Sequence, residues 1–171
     1  MNDFEAEAAV AVVRTVGDSP ALLILRRAVN PKDPWSGHFS LPGGRRDSQD
    51  LDLLDTCIRE TKEECGLLLT RDNLSRPLPI LIAGNALGRP SRVAPFLFEL
   101  PSRPLLVLET LEIAESHWVT EEYLMDSKNH CEAAMLPGRA HEMFRGLRLG
   151  NGYVWGFTYR VLGQLFGFKE N

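Results

Sequence analysis

The stretch Gly44–Leu67, "GRRDSQDLDLLDTCIRETKEECGL", decides how the chain is to be read. From Asp52 to Cys65 its apolar positions Leu54, Cys57, Ile58, Thr61 and Cys65 recur at helical spacing, and Gly66 follows as a stop signal. Glu60, Glu63 and Glu64 then share one face of that helix, three and four positions apart. Like-charged pairs at this spacing cost roughly 0.2–0.5 kcal/mol each in an isolated helix. A solvated face beside Arg59 and Lys62 is the plain explanation. A second one comes from Gly43 and Gly44, which precede the helix through a short acidic loop. Glycines allow tight turns and close approach to a ligand, and clustered carboxylates on a rigid helix suit a hard divalent cation such as Mg²⁺. Arg59, four residues before Glu63, is within reach to orient a carboxylate.

Outward from that stretch, the 171 residues fit one domain, 1–171, with a fair-sized core. A formal net charge of −4 does not point to nucleic acid or to an anionic membrane surface. Cys57, Cys65 and Cys131 form no CxxC pair, which argues against a disulfide framework and a thiolate zinc site. The N-terminus is acidic where a secretory signal needs positive charge, and no apolar run approaches the roughly 18–20 residues that span a bilayer. These features make a reducing cytoplasm the expected location.

Residues 6–16 and 21–28 read as two strands around a "GDSP" turn, a hairpin candidate. "HFSL" leaves room for one short strand, and "RRDSQD" reads as an irregular loop. "PILIAGNA", "SRVAPFLFEL" and "ESHWV" are further strand candidates, and "TEEYLMD" is a helical turn with Thr120 as N-cap. "RGLRLGNGYVWGF" suggests two strands around Gly-Asn-Gly, and "TYRVLGQLFGF" a C-terminal helix. The order predicts a mixed α/β (α+β) domain rather than a regular βαβ series.

The Gly44–Leu67 stretch resembles the signature of the Nudix hydrolases. That pattern is Gly, five residues, Glu, seven residues, Arg-Glu, an aliphatic residue, any residue, Glu-Glu, any residue, Gly and an aliphatic residue. Gly44, Arg59, Glu60, Glu63, Glu64, Gly66 and Leu67 match it. Asp50 stands where the first Glu is usual, eight residues rather than seven lead to Arg59, and Thr61 replaces the aliphatic residue. Asp47, Asp50, the extra residue and "RET" resemble the coenzyme A diphosphatase branch. So do "LILRRAVNPKDPWSGHFSLPGG" and "VWGFTYRVLGQL", which extend the resemblance over most of the chain. One position departs: that branch has Arg four residues before its loop glycine, where Gly37 has Asp33.

The resemblance implies an α/β/α sandwich with a central mixed sheet and a catalytic loop-helix. It also implies hydrolysis of a diphosphate linked to another moiety, coenzyme A or a related nucleotide, with nucleoside triphosphates or ADP-ribose as the alternative substrates and a non-catalytic nucleotide-binding module as a remote one. Glu60, Glu63 and Glu64 would hold Mg²⁺ or Mn²⁺, Arg59 would orient a glutamate, and either Glu63 or Glu64 would take a proton from water. Asp47 and Asp50 would steady the loop and the helix start. An acid from outside the helix is expected in "LETLEIAESHWV", with Glu112 ahead of Glu115 and Glu109. Gly43, Gly44, Arg26 and Arg27 are the substrate-binding candidates, and Trp35, Arg89 and Arg92 are weaker ones. His38, His117, His130 and His141 carry no supporting spacing, and Trp155 reads as core. The expected partner is a small-molecule nucleotide, with no nucleic acid, no membrane, and a monomer or homodimer.

Overall fold

The computed structural model describes residues 6–33, 35–136 and 138–168. Its first strands are β1 (Ala8–Thr15) and β2 (Ala21–Arg27). They pair antiparallel only at Arg14–Leu22 and Thr15–Ala21 and then part. The chain that follows fills the fork: β3 (Phe39–Ser40) pairs with β2, and β4 (Gly43–Arg45) pairs with β1. The hairpin and the "HFSL" strand were legible, whereas β4 was hidden by its composition of two glycines and an arginine.

The helix α1 (Leu53–Cys65) ends where expected and starts one residue after the expected Asp52. Asp52 caps it by accepting the Asp55 N–H, and Gly66 ends it in the left-handed conformation, φ 68°. The chain continues through β5 (Leu74–Pro77), β6 (Leu81–Ala83), β7 (Ser91–Leu100) and β8 (Ile113–Thr120). It ends with α2 (Glu121–Met125), β9 (His130–Ala134), β10 (Met143–Leu149), β11 (Gly152–Trp155) and α3 (Gly156–Phe166). Thr120 caps α2 as expected, accepting the Tyr123 N–H.

Strands β1 to β8 form one sheet, with β1 and β7 parallel and the other pairs antiparallel. A smaller antiparallel sheet has the order β11-β10-β9. Along β1 the side chains alternate between two buried cores. Ala9, Ala11 and Val13 join Leu53, Leu54, Cys57 and Cys65 of α1. Val10 and Val12 join Leu147, Val154, Tyr159 and Leu162 of the C-terminal elements. The large sheet therefore lies between α1 on one face and α2, α3 and the small sheet on the other. Ala9 and Ala11 are small, which lets α1 lie close to the sheet.

Candidate active site at the sheet fork

Arg59 on α1 organises the acidic face. Its Nε and Nη2 donate to Asp50 Oδ1 and Oδ2, both at 2.9 Å, and its Nη1 donates to Glu60 Oε1 at 2.9 Å and Glu63 Oε2 at 3.0 Å. Asp50 is buried and also accepts from the Asp47 N–H and the Thr56 hydroxyl. The Arg59 guanidinium therefore holds its carboxyl well below the usual carboxylate range. The shorter acid and the longer spacing keep the clamp on Arg59. Asp47 accepts the Gln49 N–H, a loop-stabilising contact. Thr61 is fully buried, and its hydroxyl donates to the Cys57 carbonyl at 2.6 Å. An intrahelical acceptor thus lets a hydroxyl stand where an aliphatic residue was expected.

Gly43 and Gly44 lie against the acids. The Gly43 N–H donates to Glu64 Oε2 at 3.0 Å. A side chain at Gly44 would put its Cβ 2.6 Å from the Glu60 carboxyl. Glu64 is 3% exposed, and burial pushes its carboxyl up to about 8; Glu60 and Glu112 raise it further, while the Gly43 N–H and Arg27 oppose the rise. Burial also raises Glu60, with Glu63 and Glu112 adding to the effect against Arg59. Glu112 arrives on the strap ahead of β8, where the Glu109 N–H donates to the Glu64 carbonyl and the Glu112 N–H to the Glu109 carbonyl. Among the described residues no three acids, histidines or cysteines converge into a ready-made ion site. The physical reason is visible: like charges repel, Arg59 draws in Glu60 and Glu63, and Gly43 draws in Glu64.

Other candidates separate. Arg26 does not line the cleft described below. Its guanidinium is occupied by Glu115 at 3.0 Å, Asn151 at 2.7 Å and the Gly37 carbonyl at 3.2 Å, and it lies over the Phe39 ring. Glu115 is held by Arg26 and by His117. His130 is a packed histidine, bonded to the Tyr159 hydroxyl and the Leu124 carbonyl, and His141 is exposed. Arg27 Nε donates to Asp33 Oδ2 at 2.7 Å, and Asp33 Oδ1 accepts the Trp35 N–H. Asp33 thus steadies Arg27 and the loop before β3.

A cleft of about 1030 Å³ opens on the face of the sheet opposite α1. Its floor includes Ala8, Val10 and Val93, and aromatic walls come from Trp35, Phe144 and Trp155. Arg59 and the α1 glutamates do not line it; Gly43 and Gly44 do, so the glycines join the cleft to the acids. Trp155 is buried, as expected of core, yet forms part of this wall. Arg45, Phe144 and Arg160 also line it. Nothing in the sequence marks them as site residues, because residues distant in the chain meet there only once β4, β10 and α3 have docked.

Residues 5–137 match the NUDIX domain. The chain belongs to the Nudix family. An uncharacterized protein of Schizosaccharomyces pombe, C14C4.10c, is 33% identical over 103 residues, 58% of this chain and 31% of that protein. The mitochondrial coenzyme A diphosphatase NUDT8 of Homo sapiens is 39% identical over 70 residues, 40% of this chain and 30% of that protein. The chain therefore spans under a third of the length of either curated relative. The crystal structure of a MutT/nudix family protein from Enterococcus faecalis superposes with a TM-score of 0.67 at 17% identity, covering 95% of this chain and 61% of that one. That coverage carries the shared fold past residue 137, into the C-terminal hairpin and helix. No helix among the described residues is long and apolar enough to cross a membrane, which says nothing about strands crossing as a barrel.

Proposed function

We infer that the protein hydrolyses a diphosphate linkage in a nucleoside diphosphate derivative, with coenzyme A or a related compound favoured, in a divalent-metal-dependent reaction. One observation carries this reading: Gly43 and Gly44 line the cleft and at the same time touch Glu64 and abut Glu60. A diphosphate in the cleft can therefore reach the acids where no side chain intervenes. The similarity to a coenzyme A diphosphatase supports the choice of substrate, and the aromatic walls suit a planar base.

Glu60, Glu63, Glu64 and Glu112 fit a hard cation such as Mg²⁺ or Mn²⁺ by donor chemistry, since all offer carboxylate oxygens. Bound there, the ion would neutralise phosphate charge and make water acidic enough to be deprotonated near neutral pH. Arg59 keeps Glu60 and Glu63 oriented, and the Gly43 N–H keeps Glu64 turned towards the fork. Glu63 or Glu64 takes the proton from the attacking water. Arg27, held by Asp33, places a guanidinium on the cleft side. A reducing compartment, the cytoplasm expected above, suits the three free cysteines.

The test is mass spectrometry of products after incubation with coenzyme A and Mg²⁺ or Mn²⁺. ADP-ribose, diadenosine polyphosphates and nucleoside triphosphates run in parallel. Release of 4'-phosphopantetheine and 3',5'-ADP, lost in Glu63→Gln and Glu64→Gln, is expected. Cleavage of another compound with coenzyme A intact would reject this substrate, and survival of every compound would reject the enzyme.

A further inference from the structure

The cleft holds more positive charge than a single diphosphate needs. Five arginines line it, Arg27, Arg45, Arg89, Arg145 and Arg160, against one carboxylate, Glu132. Two of the five are already neutralised: Arg27 by Asp33 at 2.7 Å, and Arg145 by Glu132 at 3.5 Å. Arg160 donates to the Ile82 carbonyl, a contact that leaves its charge uncompensated. Arg45 and Arg89 are exposed and make no ion pair among the described residues. In a chain with a net charge of −4, unpaired cations gathered in one cleft call for an anionic occupant.

These charges lie at opposite ends of the cleft. Arg45 is opposite Ala8, Ala8 is opposite Val93, and Val93 is opposite Leu81, so one row crosses β4, β1, β7 and β6. Three strand spacings separate β4 from β6, roughly 14 Å. Arg45 stands at the glycine end, next to Gly44. Arg89 stands at the far end, in the turn after β6, where its N–H donates to the Gly84 carbonyl. Arg160 belongs to that same end through Ile82. A diphosphate at the glycines could not also reach the β6 end.

Building on the diphosphatase reading, we propose that Arg89 and Arg160 form a second anion subsite that selects substrates carrying a phosphomonoester in addition to the scissile diphosphate. Arg89 supplies the unpaired guanidinium. Arg160, anchored on α3, supplies a fixed second charge. One ribose joins the two anions in such a nucleotide, so the extended arginine side chains cover the rest of the distance between the ends, and the base lies along the Phe144 and Trp155 wall. Arg160, Phe144 and Trp155 all lie beyond the segment that matches the family domain. The subsite thus joins Arg89 of the family segment to Arg160 of the C-terminal helix.

Two compounds differing only in such a group provide the test: coenzyme A, with its 3'-phosphate, and dephospho-coenzyme A. The wild-type chain should favour coenzyme A in kcat/KM by about tenfold or more, as expected for a charge-assisted contact. The preference should appear mainly in KM. Arg89→Gln should bring the ratio close to one, and Arg89→Lys should restore part of it. Equal kcat/KM for the two compounds in the wild type, or an unchanged ratio in Arg89→Gln, would overturn the subsite.

Binding separates this proposal from the diphosphatase reading. Calorimetry in the presence of a chelator compares 3',5'-ADP with 5'-AMP. Tighter binding of 3',5'-ADP by the wild type but not by Arg89→Gln supports the subsite even if no compound is cleaved. Equal affinities in the wild type reject it even if the enzyme is active.

Discussion

Glu64 is a carboxyl group that has lost its water while keeping like-charged neighbours. It is 3% exposed, close enough to Glu60 and Glu112 to be raised by them, and satisfied by one backbone N–H. Asp50, also buried, is in the opposite condition, because Arg59 grips both its oxygens. Burial alone therefore does not set the charge state; the partner does. For Glu64 this has a consequence for stability. Its carboxyl is raised from 4.5 to about 8 on folding. The folded state then holds a proton that the unfolded state releases, so the contribution is fully present below pH 4.5 and is lost as pH rises through 8. In chelator, denaturant midpoints should fall between pH 5 and pH 8 by an amount worth a few kcal/mol. Glu64→Gln, which cannot ionise, should flatten that slope. A wild-type profile as flat as the variant's would mean that Glu64 finds a counter-charge in the apo protein.

At the scale of elements, the contact between β4 and α1 makes the site, and its two glycines do different work. Gly43 has φ 149°, and a Cβ there would lie 2.2 Å from the Ala9 carbonyl oxygen, which the strand cannot move. Gly44 has no left-handed φ, and the three atoms nearest to its Cβ would all belong to the Glu60 carboxyl, the end of a flexible side chain. Gly43→Ala should therefore unfold or strongly destabilise the chain, whereas Gly44→Ala should melt close to wild type and lose most activity by displacing Glu60. Thermal melts set beside turnover check this contrast; an active Gly44→Ala would show that Glu60 can move without cost to the chemistry. The same contact marks where sequence reasoning succeeds and where it stops. Periodicity and Gly66 located the end of α1 at Cys65 and its start one residue early, at the capping Asp52, because the buried face and the terminal glycine are local signals. The β4 strand carries no side-chain pattern, β5 is four residues ending in Pro77, and β9 is a polar edge strand. Each is created by its partner strand rather than by its own residues. The acids of α1 were legible for the same reason as the helix. The cleft was not, since Arg45, Arg89, Phe144 and Arg160 come from four separate elements. Arg26 misled because its position beside Arg27 does not disclose that β8 and the Asn151 turn claim its guanidinium.

Across the whole molecule, the large sheet separates two tasks. One face packs α1, and the edge of that helix gathers negative charge; the other carries the C-terminal elements and a cleft rich in arginine. On the first side Arg59 must serve Asp50, Glu60 and Glu63 together. A divalent cation shared by Glu60, Glu63, Glu64 and Glu112 would relieve what Arg59 leaves unbalanced. The unfolded chain cannot gather those four groups, so the ion's binding energy becomes stability of the whole domain. At a free ion concentration about a hundred times its dissociation constant the gain is about 2.7 kcal/mol, which for a chain of this size raises Tm by roughly 5–10 °C. Thermal unfolding in chelator, Mg²⁺ and Mn²⁺ should show that rise in the wild type. Glu112→Gln should reduce it, while Glu115→Gln should retain it, because Glu115 is bound to Arg26 and His117 on the far side of β2 from the fork. An equal rise in the wild type and in Glu60→Gln, Glu64→Gln and Glu112→Gln would move the ion to another part of the molecule, and no rise with either metal at millimolar concentration would remove it from these four acids altogether.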